Sequence, residues 1–292
     1  MIIDLHTHSS ASDGAHSPKA LIEEAAATGV GALALTDHDT IDGLDEAEKA
    51  ARTAGISFIR GVELEIDWPE IGTMERREFH LLGLGFGTPS AKLRRILFQL
   101  QHKREKRNRL ILERMHAAGI DADMDEIRPA GVTSYIGRPH FAAYLIKKKV
   151  VKDTEEAFKK YLSKDMPLYV PKGGIRLRRA ISAIKESGGL AILAHPISLY
   201  IAWGRLPGIL ERFKNSGLDG IEVYHPTATA RSNQRLLDMA QQLNLAVSAG
   251  SDFHGDRPDR RLGESSGRRA ITSDLIQFPP EILAAWGIHQ PE

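Results

Sequence analysis

Short apolar, β-branched runs alternate with amphipathic segments over the first and last thirds of the chain. Ile2–His6, Ala32–Thr36, Ser57–Val62, Leu190–Ala194, Gly220–Val223 and Leu245–Ala249 read as strands. Between them, Pro18–Thr28 opens after Ser17, a good N-cap with proline at the first helical position, and closes at Gly29. Ile41–Ala54 closes at Gly55, and Leu177–Ser187 and Arg231–Asn244 follow the same pattern, with Gly188-Gly189 as a helix terminator. Strand, helix and strand joined by short connections are the signature of βαβ units and a mainly parallel sheet.

Two stretches break the alternation. Residues Glu63 to Phe86 carry a polar middle, Glu70 to Arg77, between two strand-like arms, which predicts a hairpin-like excursion. Its Phe79–Leu84 arm would return beside the Phe58–Glu65 arm and bring His80 near Glu63. From about Gln101 to Lys164 the chain is helical and charge-rich, and residues 101–168 hold 15 Lys and Arg against 10 Asp and Glu. In a chain whose total charge is +1, that local excess predicts an inserted helical subdomain. The expected organisation is a parallel α/β unit over residues 1–100, a helical insertion over 101–168 and the α/β unit again over 169–292.

Composition removes other classes. The 292 residues, 42% of them hydrophobic, match an ordinary globular protein, and no cysteine is present, which excludes disulfides and thiolate metal sites and makes the cytoplasm the expected compartment. No apolar run approaches the ~18 residues needed to cross a bilayer, and the N-terminus has no basic, then apolar, export pattern. No obligate protein partner is evident. The overall charge exerts no strong field on nucleic acid.

The 12 histidines change the picture by their placement. His6 and His8 share one face at the end of the first strand. The second strand runs into Asp37-His38-Asp39, the third into Glu63, the Leu190 strand into His195-Pro196, and the Leu245 strand into Ser251-Asp252-Phe253-His254. Strand ends of a parallel barrel or sheet face one side, where α/β enzymes hold their sites. His6, His8, Asp13, His38, Glu63, His80, His195, Asp252 and His254 are therefore candidate metal ligands. Imidazole and carboxylate without sulfur suit Mn, Zn or Fe(II), with Mg less favoured, and nine ligands suffice for two or three ions bridged by Glu63. Asp4, Asp37 and Asp39 either orient imidazoles or are buried, hydrogen-bonded carboxylates.

Asp4-Leu5-His6-Thr7-His8-Ser9, Thr36-Asp37-His38-Asp39, Ala194-His195-Pro196 and Gly250-Ser251-Asp252-Phe253-His254-Gly255 resemble, in order, the four motifs of the polymerase and histidinol phosphatase (PHP) family of metal-dependent phosphoesterases. The resemblance covers about Met1–Gly87 and Gly173–Gly267. It implies an α/β fold, a distorted (β/α)7 barrel, with a trinuclear site. It also implies that His6, His8, Glu63 and Asp252 serve one ion, Asp13, His38 and His254 a second, and Glu63, His80 and His195 a third, with Mn the expected metal.

Clustered divalent cations ionise a bridging water at neutral pH and neutralise phosphoryl oxygens, so phosphoester hydrolysis with His195 and Asp252 at the reaction centre is the expected chemistry. No G-x-S-x-G elbow, Walker loop or Rossmann fingerprint points elsewhere. His225, after the Gly220 strand, is placed to give a proton or contact phosphate. Ser134, Tyr135 and Arg138 in the basic insertion, and Lys172 where it returns to the barrel, are candidate substrate contacts, and Tyr135 or Phe141 offers a ring for a base. The run Lys103–Arg109 reads as an exposed helix face able to guide a polyanion.

Within the family, the long insertion, Ile136–Phe141 and Glu222–Pro226 are similar to the branch that removes the 3′-phosphate of nucleoside 3′,5′-bisphosphates and trims short RNA from its 5′ end. A nucleotide or short oligonucleotide is then the expected partner. Histidinol phosphate or another small phosphomonoester is the alternative substrate. A nucleic-acid-binding module with a structural metal cluster is the alternative of another class.

Overall fold

The computed structural model describes residues 1–68, 77–128, 135–171 and 173–290, so most of the polar hairpin middle, as well as Ser134 and Lys172, lies outside the described residues. One sheet of seven strands runs in chain order: β1 (Ile2–Thr7), β2 (Val30–Leu35), β3 (Ser57–Trp68), β4 (Arg77–Leu84), β5 (Leu190–Leu193), β6 (Gly220–Tyr224) and β7 (Ala246–Ala249). All neighbours are parallel except at β4, which is antiparallel to β3 and to β5. Beyond β7 the sheet closes on β1: Asp252 N donates to His6 O and His8 N to Phe253 O, each at 2.9 Å. The result is the expected distorted (β/α)7 barrel, its distortion being the reversed β4 and a seam made by two irregular residues.

The helices are α1 (Pro18–Ala27), α2 (Leu44–Ala54), α3 (Ala91–Ala117), α4 (Met124–Ile127), α5 (Arg138–Lys147), α6 (Thr154–Ala157), α7 (Leu177–Glu186), α8 (Leu206–Asn215), α9 (Ala230–Gln242) and α10 (Pro280–Ala285). Ser17 Oγ caps α1 by accepting from Ala20 N at 3.1 Å. In α7 the buried set Leu177, Ala180, Ile181 and Ile184 repeats at helical spacing and faces the sheet. α2 starts at Leu44, three residues later than its periodicity suggests. Asp39 sits at φ +54° and Leu44 N bonds back to Ile41 O at 3.2 Å, so residues 39–43 turn before the helix can begin.

The insertion differs from expectation at its start. Helix α3 begins at Ala91, capped by Ser90 Oγ on Leu93 N, ten residues before the charge-rich stretch. Its first half buries Leu93, Ile96 and Leu100 in the barrel core, and its second half buries Ile111 and Met115 in a separate core of the insertion with Phe141, Leu145, Leu162 and Leu168. A helix of 27 residues spans about 40 Å, so one rigid rod joins both cores. Phe141 is wholly buried there, and the insertion core, not a ligand, takes its ring.

Two cores on one rod should come apart separately. Phe141→Ala removes a ring from the insertion core at a cost of about 3–5 kcal/mol. Hydrogen exchange should then show lost protection over 111–128 and 135–168 with β1, β2 and β6 still protected; equal loss in both regions would contradict two separate cores.

Candidate metal centre

Most site residues reach the cluster from a strand end, but Glu63 and His80 project from strand interiors, because β3 does not stop at Val62 but runs on to Trp68 in its antiparallel pairing with β4. His6 lies in β1 and His8 just past it; His38 follows β2, Glu63 lies within β3 and His80 within β4. His195 and Asp252 stand just beyond β5 and β7. Asp39, His195 and Asp252 all have left-handed backbones, at φ +54°, +28° and +50°. For non-glycine residues this conformation costs of order 1–3 kcal/mol, and it concentrates where side chains must turn inward at a strand end. Gly250 is needed for closeness: a Cβ there would lie 2.3 Å from His6 Cβ.

Glu63 is fully buried at the centre. Its Oε1 lies 2.8 Å from His80 Nδ1, 3.1 Å from His195 Nε2 and 3.4 Å from His6 Nε2. Its Oε2 lies 2.8 Å from His38 Nδ1 and 3.3 Å from His8 Nε2. Asp252 Oδ1 is 3.3 Å from His8 Nε2 and 3.6 Å from His6 Nε2. Asp13 Oδ1 is 3.4 Å from His254 Nε2 and 3.9 Å from His38 Nε2. Four overlapping groups of donor atoms within 4.8 Å of one another result: His8, Asp13, His38 and His254; His6, Glu63 and His195; His6, His8 and Asp252; and His38, Glu63 and His80. All nine sequence-derived ligands are in this one cluster.

The donor set fits divalent cations. His6 Nε2, His8 Nε2, Asp13 Oδ1 and Glu63 Oε2 are buried atoms without a well-formed hydrogen bond, and they converge. A buried polar atom left unsatisfied costs about 1–3 kcal/mol, which a coordinated ion removes. Three of the opposite ring nitrogens are held as ligand imidazoles require: His6 Nδ1 by Glu222 Oε1 at 3.0 Å, His80 Nε2 by Glu65 Oε2 at 3.2 Å, and His195 Nδ1 by Ser198 Oγ at 2.7 Å; His8 Nδ1 is buried without a partner.

Burial alone would raise Glu63, but His80, His38 and His6 outweigh it and hold the carboxyl well below its usual range. Asp13 and Asp252 are likewise held well below theirs, against burial, by His38 and His254 for the first and by His225 and His8 for the second. Burial and the neighbouring His254 and His38 push His8 down to about 3, leaving a neutral donor. For His80 burial acts downward too, yet Glu63 and Glu65 hold it up at about 10; Asp13 and Asp252 do the same for His254.

The three further acids turn out to be buried, hydrogen-bonded carboxylates. Asp4 accepts from Ser251 N, Ser251 Oγ, Gly263 N and His6 N, which ties β1 to the residue beside Asp252. Asp37 accepts from Ser9 N, Ser9 Oγ and Ser12 Oγ and shapes the turn that carries Asp13. Burial raises both to about 6. Asp39 accepts from Glu65 N at 2.9 Å and pairs with the buried Arg104 of α3, pinning the insertion to the barrel.

His225 lies 5.4 Å from His195 between ring centroids, and its Nε2 faces Asp252 Oδ2 at 3.5 Å. Tyr135 is buried against the centre, stacked on His38 at 6.1 Å with the Arg104 guanidinium 3.9 Å from its centroid, so that face is already covered. Arg138 turns into the insertion, donating to Leu162 O at 3.4 Å, with Tyr169 5.7 Å from its guanidinium. Sequence reasoning missed Glu65, Arg104, Glu222 and Arg260, whose Nη1 donates to Asp252 Oδ2 at 2.7 Å. Glu222 carried a signal: an acid in the middle of the apolar run Gly220–Tyr224.

The PHP domain model matches residues 4–164. A 5′-3′ exoribonuclease of Haemophilus influenzae is 38% identical over 251 residues, covering 86% of this chain and 89% of that protein. A 3′,5′-nucleoside bisphosphate phosphatase of Chromobacterium violaceum is 34% identical over 285 residues, covering 97% and 95%. A solved Chromobacterium violaceum amidohydrolase, with bound sulfate and no metal, superposes with a TM-score of 0.83 at 32% identity over 98% of this chain and 97% of its own.

The raised imidazoles have a pH consequence, and His6 is a third, held well above its usual range by Glu222 and Glu63 against burial. A folded pKa of about 10 against 6.5 means that, in metal-free protein, the His80 and His254 charges stabilise the fold fully below pH 6.5, and this is lost as pH rises towards 10. Coordination needs neutral rings, so Mn binding through His6, His80 and His254 at pH 8 should release about three protons. Calorimetry in buffers of different ionisation enthalpy should detect them, and a buffer-independent heat would contradict the assignment.

Proposed function

The chain belongs to the PHP domain family, and from that premise we propose that it hydrolyses the 3′-phosphate of nucleoside 3′,5′-bisphosphates and trims short RNA from the 5′ end. The observation that carries this reading is Glu63, a buried carboxylate with each oxygen aimed at a different set of imidazoles. We propose the nine-residue set as the ligands of two or three divalent ions. Mn is the expected metal, and Zn, Fe(II) or Mg are the alternatives, because the donors mix imidazole and carboxylate without sulfur. When bound, such ions supply ionised water and neutralise the phosphoryl oxygens.

The chain's own residues supply the rest. Asp252 stands at the rim, its Oδ2 shared by Arg260 and His225 and its Oδ1 turned to His6 and His8. His225 Nδ1 accepts from Thr227 N at 3.2 Å, so its proton sits on Nε2, facing the centre and available to a leaving alkoxide. His195 is held neutral chiefly by burial, as a ligand must be. The second phosphate of a bisphosphate, or the next one of an oligonucleotide, would be held by cations at the mouth. Arg260, partly exposed beside Asp252, is proposed for this role among the described residues, and Ser134, Tyr135, Arg138 and Lys172 remain proposed contacts. Among the described residues no helix is long and apolar enough to cross a membrane.

Phosphate release should be strong with adenosine 3′,5′-bisphosphate and weak with histidinol phosphate when Mn is present. The reverse preference would overturn the nucleotide assignment. Chelation should abolish turnover and Mn restore it. His195→Ala should lower kcat/KM by at least ~100-fold with folding retained by melting curve, whereas undiminished turnover would remove His195 from the site.

A further inference from the structure

Glu222 is wholly buried in the middle of β6, and both of its oxygens are committed. Oε1 lies 3.0 Å from His6 Nδ1, and Oε2 accepts from the His195 backbone N–H at 2.7 Å. A backbone N–H can only donate, so Oε2 acts as acceptor. Oε1 then favours a proton on His6 Nδ1, which leaves the Nε2 lone pair free on the side of Glu63 and Asp252. The second bond holds His195 at the point where its backbone is forced to φ +28° and ψ +65°. Held in this way, His195 Nε2 reaches Glu63 Oε1 at 3.1 Å.

His6 also belongs to the group with His8 and Asp252, whereas His195 lies beside His80, their facing nitrogens 3.3 Å apart. Both also meet at Glu63 Oε1 in one donor group, so a single carboxylate braces two ligands of that group and, through them, the neighbouring His8–Asp252 and His80 positions. Strands β1 and β6 are not adjacent in the sheet; Gly250, just past β7, makes room for the contact, since a Cβ there would lie 2.9 Å from Glu222 Oε1. We infer that Glu222 is a positioning residue that fixes the His6 tautomer and the His195 backbone together, so that the ions bound through these two histidines are gained or lost as a unit. This rests on the metal reading proposed above.

Glu222→Gln keeps the shape and removes the symmetry. Its one amide oxygen can accept from His6 or from His195 N–H, but not from both, and its NH2 then faces a donor or drives the His6 proton to Nε2, where it blocks ligation. Titration of metal-free protein with Mn, with bound metal counted by mass spectrometry, should show binding through His6 and His195 weakened about 10–100-fold in Glu222→Gln. The Asp13, His38 and His254 ion should be kept. Unchanged stoichiometry and affinity, or uniform weakening of every ion, would overturn the inference while leaving the metal reading intact. A parent protein that binds no Mn would remove the metal reading, and this inference with it.

A further measurement needs no variant. In Zn-loaded parent protein, long-range 1H–15N spectra should show His6 protonated at Nδ1 and metal-bound at Nε2. The opposite tautomer would overturn the inference even if Glu222→Gln fails to fold.

Discussion

A buried carboxylate facing five imidazoles is the contact on which the rest of this structure depends. Glu63 has no exposed surface, and an isolated carboxylate at such a place would pay heavily for its lost hydration. It is kept ionised by His80, His38 and His6, each delivered by a different strand or strand end. The constraint works in both directions. The histidines need the acid to be charged, and the acid needs the barrel closed so that the histidines arrive.

Closure explains the strained residues and the buried acids around the centre. Asp252 and His195 leave their strands in left-handed turns, and both are fastened: Asp252 by its own backbone bond to His6 O and by Arg260, and His195 by Glu222. Asp4 and Asp37 accept three or four donors each, and burial still raises them to about 6, so part of the fold's stability is spent on holding the loops that carry Asp252 and Asp13. The insertion is linked to the same framework. Arg104 joins α3 to Asp39, Asp39 holds Glu65 N, and Glu65 holds His80, so the chain of contacts from insertion to ligand has three links.

Much of this was legible in the sequence because the barrel is periodic and most of its chemistry falls at strand ends, Glu63 and His80 inside β3 and β4 excepted. Apolar runs that stop at His or Asp located the cluster, and the two arms around residues 69–76 put His80 2.8 Å from Glu63. What could not be read was set by contacts between distant residues. Local charge placed the insertion at Gln101, but packing of Leu93, Ile96 and Leu100 on the barrel starts α3 at Ala91. Glu222 and Glu65 look like ordinary strand residues until the fold brings His6 and His80 to them, and Arg260 gains meaning only when it reaches Asp252. Tyr135 offered a free ring in the sequence, and Arg104, 31 positions earlier, lies over it.

Crystals grown with Mn and measured at its absorption edge test the central claim most directly. Anomalous density should show at least two ions, one on the Oε1 side of Glu63 near His80 and His195 and one on the Oε2 side towards His8 and His38. A single ion bound away from Glu63, or no anomalous density beside either oxygen, would contradict a carboxylate bridge at the heart of this barrel.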